Sequence, residues 1–299
     1  MVSGVIQMPS KLLKKRTIFD YVNGVIMLGV VVVTLYPVVN IIALSFSRSA
    51  YILANKVTFY PIGFNVDAYR MILSNNRIPR AYLNTILYTG VGTAINLVAT
   101  TLAAYPLSRR DFFGRKLFIT MVVITMFFNG GLRPRYIVVS RLGMINTIWA
   151  LVIPNAIWTF ELLILKTFFQ SLDSSVYESA IIDGASEYRI LGQILVPLST
   201  AALASISLFY FMGHWNSYFI PMIYLNDMRK FPLQVVLRDM LIEDTARQQL
   251  AEAEQWKQRL TPDAVKNATI FITMIPVLMV YPFAQRYFVR GVMIGSVKG

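Results

Sequence analysis

One stretch of this chain has the residue types of a gripping surface rather than of a reaction centre. It begins Glu178-Ser179-Ala180-Ile181-Ile182-Asp183-Gly184 and closes on Ile194-Leu195-Val196-Pro197. Three residues separate Ala180 from Gly184, and Ile194 and Pro197 follow that glycine by ten and thirteen positions. The chemistry this segment can perform is recognition. Residues 175–183 can form a short helix, with Ser179 and Ala180 as a low-profile side on which a partner closes and Glu178 as the charged contact. Asp183-Gly184-Ala185 carries a turn pair, in which glycine supplies a backbone angle that other residues resist. Ser186 can cap a second short helix by accepting from an exposed N–H. Pro197 stands at the start of the next apolar run, where a missing N–H costs little.

Bond-making chemistry finds less footing. Cysteine is absent and there is one histidine, His214. That excludes disulfides and thiolate sites and argues against a multi-histidine metal centre. No Gly-x-x-x-x-Gly-Lys-Ser/Thr phosphate loop occurs, so this chain offers no such site for ATP, and no cofactor or metal is expected on it. Glu178, Asp183 and Glu187 come nearest to an acidic cluster, but their spacing suits docking better than acid–base or metal chemistry.

The elements that must position this island are membrane spans. The chain has 299 residues, 56% of them hydrophobic and only 14% charged, with a mean hydropathy of +0.56. A helical span needs about 20 mostly apolar residues. Such runs predict an all-α polytopic membrane protein, a single transmembrane domain over residues 1–299, with six spans at 21–46, 81–107, 117–131, 147–169, 200–224 and 268–285. The polar island 170–197 then lies on one side of the membrane, and segments 48–80 and 226–266 on the other. The third span is short before Asn129-Gly130-Gly131, and 132–145 reads as a re-entrant or surface helix. The charged stretch 243–260 reads as a solvated helix.

Lys11, Lys14, Lys15 and Arg16 precede an apolar run too long for a signal peptide, so the first span is read as uncleaved. With the basic turn at residues 109–116, they place both termini and the island in the cytoplasm, although the external segments carry more basic residues in total. The formal charge of +13 does not indicate nucleic acid. The basic residues flank spans and form no arginine-rich arm with interleaved aromatics, and anionic lipid headgroups suit the cytoplasmic ones.

Several span residues are candidates for lining a pathway. Glu161 lies midway along the fourth span, where a carboxylate costs roughly 2.5–3.5 kcal/mol and must face a partner, a cavity or the bundle interior. His214, Trp215, Asn216 and Tyr218 combine aromatic faces with polar donors, as sugars require. The competing reading makes Trp215 packing bulk and His214 an interhelical bond. Asn84 and Asn96 are read chiefly as interhelical glue, with Asn84 kept as a pathway candidate. Arg133 and Arg135 read as a solvated external rim, or as a contact for a binding protein or an acidic sugar.

The Glu-x-Ala…Gly…Ile-x-x-Pro spacing resembles the cytoplasmic docking loop of permease subunits in binding-protein-dependent ABC importers. Ser179 stands for the usual alanine and Val196 for a usual leucine. Asn84-Thr85, Gly143-Met144-Ile145-Asn146-Thr147, Gly213-His214-Trp215-Asn216-Ser217 and the terminal run from Gly291 to Gly299 are similar to the carbohydrate-uptake branch, typified by the smaller permease of the maltose importer. Phe128-Asn129-Gly130-Gly131 and the Trp215 run look like the subset importing oligosaccharides released from polysaccharides. The resemblance covers the chain after about residue 15.

It implies a type I importer permease fold in a bacterial cytoplasmic (inner) membrane. A homologous second permease, two ATPase subunits holding ATP and Mg, and an extracellular or periplasmic solute-binding protein would complete the assembly. It further implies that Glu178, Ser179, Ala180, Asp183, Gly184, Ala185 and Pro197 meet an ATPase, and that Gly291, Gly295, Lys298 and Gly299 reach the ATPases as a flexible or closely packed strip. The expected function is inward movement of an oligosaccharide by alternating access, with an acidic sugar from alginate or pectin as the sharper expectation. The alternatives are an ion-driven secondary transporter, which would show inverted repeats that are not evident here, or an ABC permease for a non-sugar solute.

Overall fold

The computed structural model describes residues 18–74, 76–128, 130–240 and 262–296, with side chains of the last segment described for 263–282. In chain order the helices are α1 (Ile18–Ser45), α2 (Ser49–Leu53), α3 (Asp67–Ser74), α4 (Arg77–Ser108), α5 (Arg115–Phe127) and α6 (Leu132–Arg141). Then come α7 (Trp149–Val152), α8 (Thr159–Ser171), α9 (Ser174–Ile182), α10 (Glu187–Arg189), α11 (Val196–Leu198), α12 (Thr200–Trp215) and α13 (Phe219–Tyr224). Helix α14 covers 233–240 and α15 is Pro262–Ser296. There is no strand among the described residues, as expected where an apolar medium forces each backbone group to be satisfied within its own helix.

Three helices are long and apolar enough to cross a membrane: α1, α4 and the part of α15 from Asp263 to Pro282. Three more candidates are helix pairs bent at a short break: α5 with α6 at 116°, Trp149–Asn155 with α8 at 50°, and Glu187–Leu198 with α12 at 83°. Counting each pair as one span gives the six expected. Helix α1 is apolar on every face and buries only Ala43 and Ser45 within its own chain, the signature of a helix that faces lipid or another subunit.

Helix α4 is the axis of the bundle. It packs against α12 and α8, while α15 packs against α1 and α12. Its buried stripe reads Thr85, Thr89, Gly92, Asn96, Thr100 and Ala104. Small and hydroxyl-bearing residues at this spacing let backbones approach closely where lipid offers no hydrophobic drive between helices.

Three boundaries differ from the sequence expectation. The fourth span is not continuous: a 3₁₀ turn at Ile153–Asn155 and an extended Trp158 interrupt it. Pro154 supplies no N–H and disfavours the helical conformation of its predecessor. The fifth is interrupted between Trp215 and Phe219. The sixth begins at Pro262 and continues to Ser296, so Gly291 and Gly295, expected in a flexible or closely packed strip, are helical. Lys298, Gly299 and the charged stretch 243–260 lie outside the described residues.

Candidate docking loop and membrane pathway

The island is a rigid projection. Asp173 caps α9, its carboxylate accepting from the Ser175 N–H at 3.0 Å. The same helix ends at Gly184, which has a φ of +71°. Ala185 N–H reaches Ala180 O and Gly184 N–H reaches Ile181 O, both at 2.9 Å, the paired bonds of a Schellman stop. A Cβ at Gly184 would meet nothing within 4 Å. The glycine is therefore needed for its backbone angle and not for space.

Beneath this helix the loop is latched to the end of α4. Glu187 accepts from the Tyr105 hydroxyl and, at 2.9 Å, from the Tyr177 hydroxyl. The Arg109 guanidinium lies over the Tyr177 ring, 3.0 Å from its centroid, and also faces Tyr105. Burial, and then the bond to Glu187, push the Tyr177 hydroxyl above the usual phenol range, so it stays protonated as a donor. Gln170 Nε2 adds a bond to Ser108 O at 3.2 Å.

Two expectations for this loop need correction. Ala180 does not join Ser179 on an open side: it is buried against Ile190, Leu191 and Leu195, and holds the loop to its own domain. Ser186 makes no side-chain cap; its carbonyl takes the Ile190 N–H instead. The outward surface is Glu178, Ser179, Ile181, Ile182 and Tyr188, with Ile182 85% and Tyr188 84% exposed. Exposed Pro197 follows a π-helical stretch, Ile190–Leu195, just before the turn into α12.

In the membrane core, polar side chains satisfy the broken fourth span. Asn96 is fully buried and donates to the carbonyls of Asn155 at 2.6 Å and Ala156 at 2.9 Å. Arg135 donates to Pro154 O at 3.1 Å and also bonds the Asn155 side chain. Arg135 is thus committed to the break, not to the free external rim expected of it. His214 Nε2 meets Asn96 Oδ1 at 2.6 Å, so the histidine is an interhelical bond. It fits because α4 offers Gly92 there: a Cβ would come 2.6 Å from the His214 ring. Gly213 likewise admits the Trp158 ring, which packs edge-on to Tyr210 at 5.0 Å between centroids.

Glu161 is buried, but it is not midway along a helix. It stands in the first turn of α8, just past the break, where unpaired N–H groups and the helix dipole favour a carboxylate. Asn84 spends its amide on Arg229 O at 2.9 Å and Phe231 O at 3.1 Å, pinning the 226–232 segment instead of lining a path. Asn146, at φ +61°, turns the chain so that its side chain accepts from the N–H groups of Asn226 and Asp227, each at 3.2 Å. Trp215 is 2% exposed, bonds Thr273 O at 3.3 Å and packs on Phe211 and Tyr82.

Of the pathway candidates, Trp215, Asn216 and Tyr218 border a common cavity of about 610 Å³ between α12, α14 and α15, together with Gln234, Arg238 and Thr273. Arg238 and Gln234 gave no sequence signal, because they follow a span that the hydropathy pattern ends at residue 224. The Trp158–Tyr210 pair was also missed. Pro154 inside an apolar run was the available clue to the break.

No protein-family model matches the chain. It is 41% identical over 287 residues to the Bacillus subtilis (strain 168) polygalacturonan/rhamnogalacturonan transport system permease protein YtcP, covering 95% of this chain and 100% of that one. It is 40% identical over 289 residues to Protein LplC of the same organism, covering 96% and 97%. Its fold matches a chain of the crystal structure of a bacterial ABC transporter involved in import of the acidic polysaccharide alginate. That match has a TM-score of 0.83 and 31% identity over 91% of this chain and 96% of the other. By the near full-length match to a transport system permease and the fold match to an ABC importer chain, this chain belongs to the permease family of ABC importers, as a membrane transport subunit and not an enzyme.

Proposed function

We propose that this permease forms half of a membrane pathway for oligosaccharides released from acidic polysaccharides, and that it is driven by ATPases gripping its 174–197 loop. The observation that carries the coupling half is the exposed pair Ile182 and Tyr188 on a loop held rigid by a capped helix, a Schellman stop and the Glu187 latch. Apolar side chains kept in water at a fixed geometry are what a docking partner covers. Glu178 adds a charge beside them, while Asp183, Gly184 and Ala185 set the helix end and Pro197 the exit. The two relatives named for pectin-type and alginate transport support the substrate half.

In this reading the loop, both termini and the end of α4 at Ser108 face the cytoplasm. A second permease covers α1 and the cavity mouth, and a solute-binding protein meets the opposite end. The ATPases carry ATP and Mg, and this chain carries no cofactor. ATPase closure pushes on the loop, the latch passes the motion to α4, and the bundle rocks between outward and inward access. The test is co-purification: Ile182→Asp should release the ATPase from a permease pair that still inserts in the membrane, and retention of the ATPase at the wild-type ratio would overturn the docking assignment.

A further inference from the structure

We infer that Arg238 and Tyr218 form a carboxylate-reading point inside the permease, which takes a uronate unit of the passing oligosaccharide. The inference rests on the substrate reading above and adds a place where the charge is read. The cavity between α12, α14 and α15, about 610 Å³, falls within the roughly 300–1,000 Å³ of small-molecule sites. Its walls offer the exposed ring of Tyr218, the amides of Asn216 and Gln234 and a single cation, Arg238, beside an aliphatic side that includes Leu237, Ile270 and Met274; Trp215 and Thr273 border it but are themselves buried. A ring, neutral donors and one positive charge are the complement of a sugar acid.

Arg238 is the informative member. Its guanidinium stands 5.9 Å from the Tyr218 ring centroid and donates to Met222 Sδ at 2.8 Å. A thioether is a weak acceptor. Among the described residues no carboxylate lies within salt-bridge distance of it; the neighbouring acid, Asp239, is held by Arg77 at 2.9 Å. A half-buried cation surrounded by neutral groups is costly unless a partner arrives. The planar fork of arginine suits a carboxylate in two-point contact.

The element carrying it is fixed. Leu233 N–H donates to Thr85 Oγ1 at 2.8 Å, and Leu233, Val235 and Val236 are buried. Tyr218 lies at the break between α12 and α13, so the reading point sits where the fifth span is interrupted. Of the two cations the sequence offered for an acidic sugar, Arg133 is exposed and Arg135 is already spent on the fourth-span break.

The test uses the complete importer in proteoliposomes, with its ATPase and saturating binding protein. Uptake of trigalacturonate is compared with that of the same trisaccharide after carboxyl reduction. Because the binding protein is common to all arms, a change in the ratio comes from the permease. The expected result is that Arg238→Gln lowers the uronate-to-neutral uptake ratio about ten-fold, the scale of one charge-assisted hydrogen bond, while Arg238→Lys keeps most of it. An unchanged ratio in Arg238→Gln, with wild type still preferring the uronate, overturns the reading point alone. A wild-type complex that takes only the neutral trisaccharide overturns the acidic-substrate reading, and this inference with it.

Discussion

The docking loop and the broken fourth span are held in opposite ways. The loop is a surface object whose helix geometry comes from local rules, a capping Asp173 and a left-handed Gly184, with a latch at Glu187 joining it both to its own Tyr177 and to Tyr105 of α4. The break is a part-buried object whose carbonyls are satisfied from afar by the fully buried Asn96 and by Arg135, 59 and 19 residues earlier in the chain. Rigidity built locally can be changed without unfolding the protein. Rigidity built from long-range polar bonds in an apolar medium cannot. On the proposed function the first region governs coupling, and the second supports the packing of the bundle.

The largest expected effect follows from the core. Asn96→Leu leaves two part-buried carbonyls and the His214 ring without a partner, and should cost roughly 2–5 kcal/mol. Thermal unfolding of the detergent-purified complex should fall clearly, together with membrane yield. A second core variant sharpens the point by size. Gly92→Val drives a side chain into the His214 ring and should resemble Asn96→Leu in stability. Wild-type melting for either would show that the break does not depend on this node.

Loop variants should behave differently. Gly184→Val forces a β-branched residue to a φ of +71°, a strain of about 1–3 kcal/mol confined to one turn. The complex should stay assembled in the membrane, with sugar uptake per ATP reduced at least several-fold. Normal uptake per ATP would separate this loop from coupling. Glu178→Lys should weaken ATPase retention by a smaller factor than Ile182→Asp, because a rim charge contributes less than a buried apolar anchor. Equal retention curves for both variants and wild type would remove the outward face from the docking account.

The smallest effect belongs to the latch. Tyr177→Phe removes one of two donors to Glu187 and should lower uptake per ATP by less than two-fold, with a stability loss of at most about 1 kcal/mol. A large loss of stability would mean that the latch belongs with the core and not with the loop.

The same contrast explains what could be read from residues alone. The Glu178–Pro197 spacing and the turn at Gly184 are local, so sequence reading reached them together with the all-helical bundle. It misplaced Ala180 because an alanine in a helix carries no sign of which side is covered; only the packing of Ile190 and Leu195 decides that. It treated Glu161 as mid-span because hydropathy does not register a break, although Pro154 lay within the run. Arg238 and its cavity arise from three elements far apart in sequence, and no periodicity announces such a meeting.

The measurement that bears most directly on the central claim is site-directed photocrosslinking, in which no native cysteine of this chain competes for the label. Ile182→Cys on the loop and Met228→Cys at the opposite end, both at exposed positions of this chain, are each labelled with a benzophenone maleimide on the purified permease, the ATPase and binding protein are then added, and the assembled importer is irradiated. The account predicts that the Ile182 label joins the ATPase and the Met228 label does not. Capture of the ATPase from Met228 with none from Ile182 would contradict it.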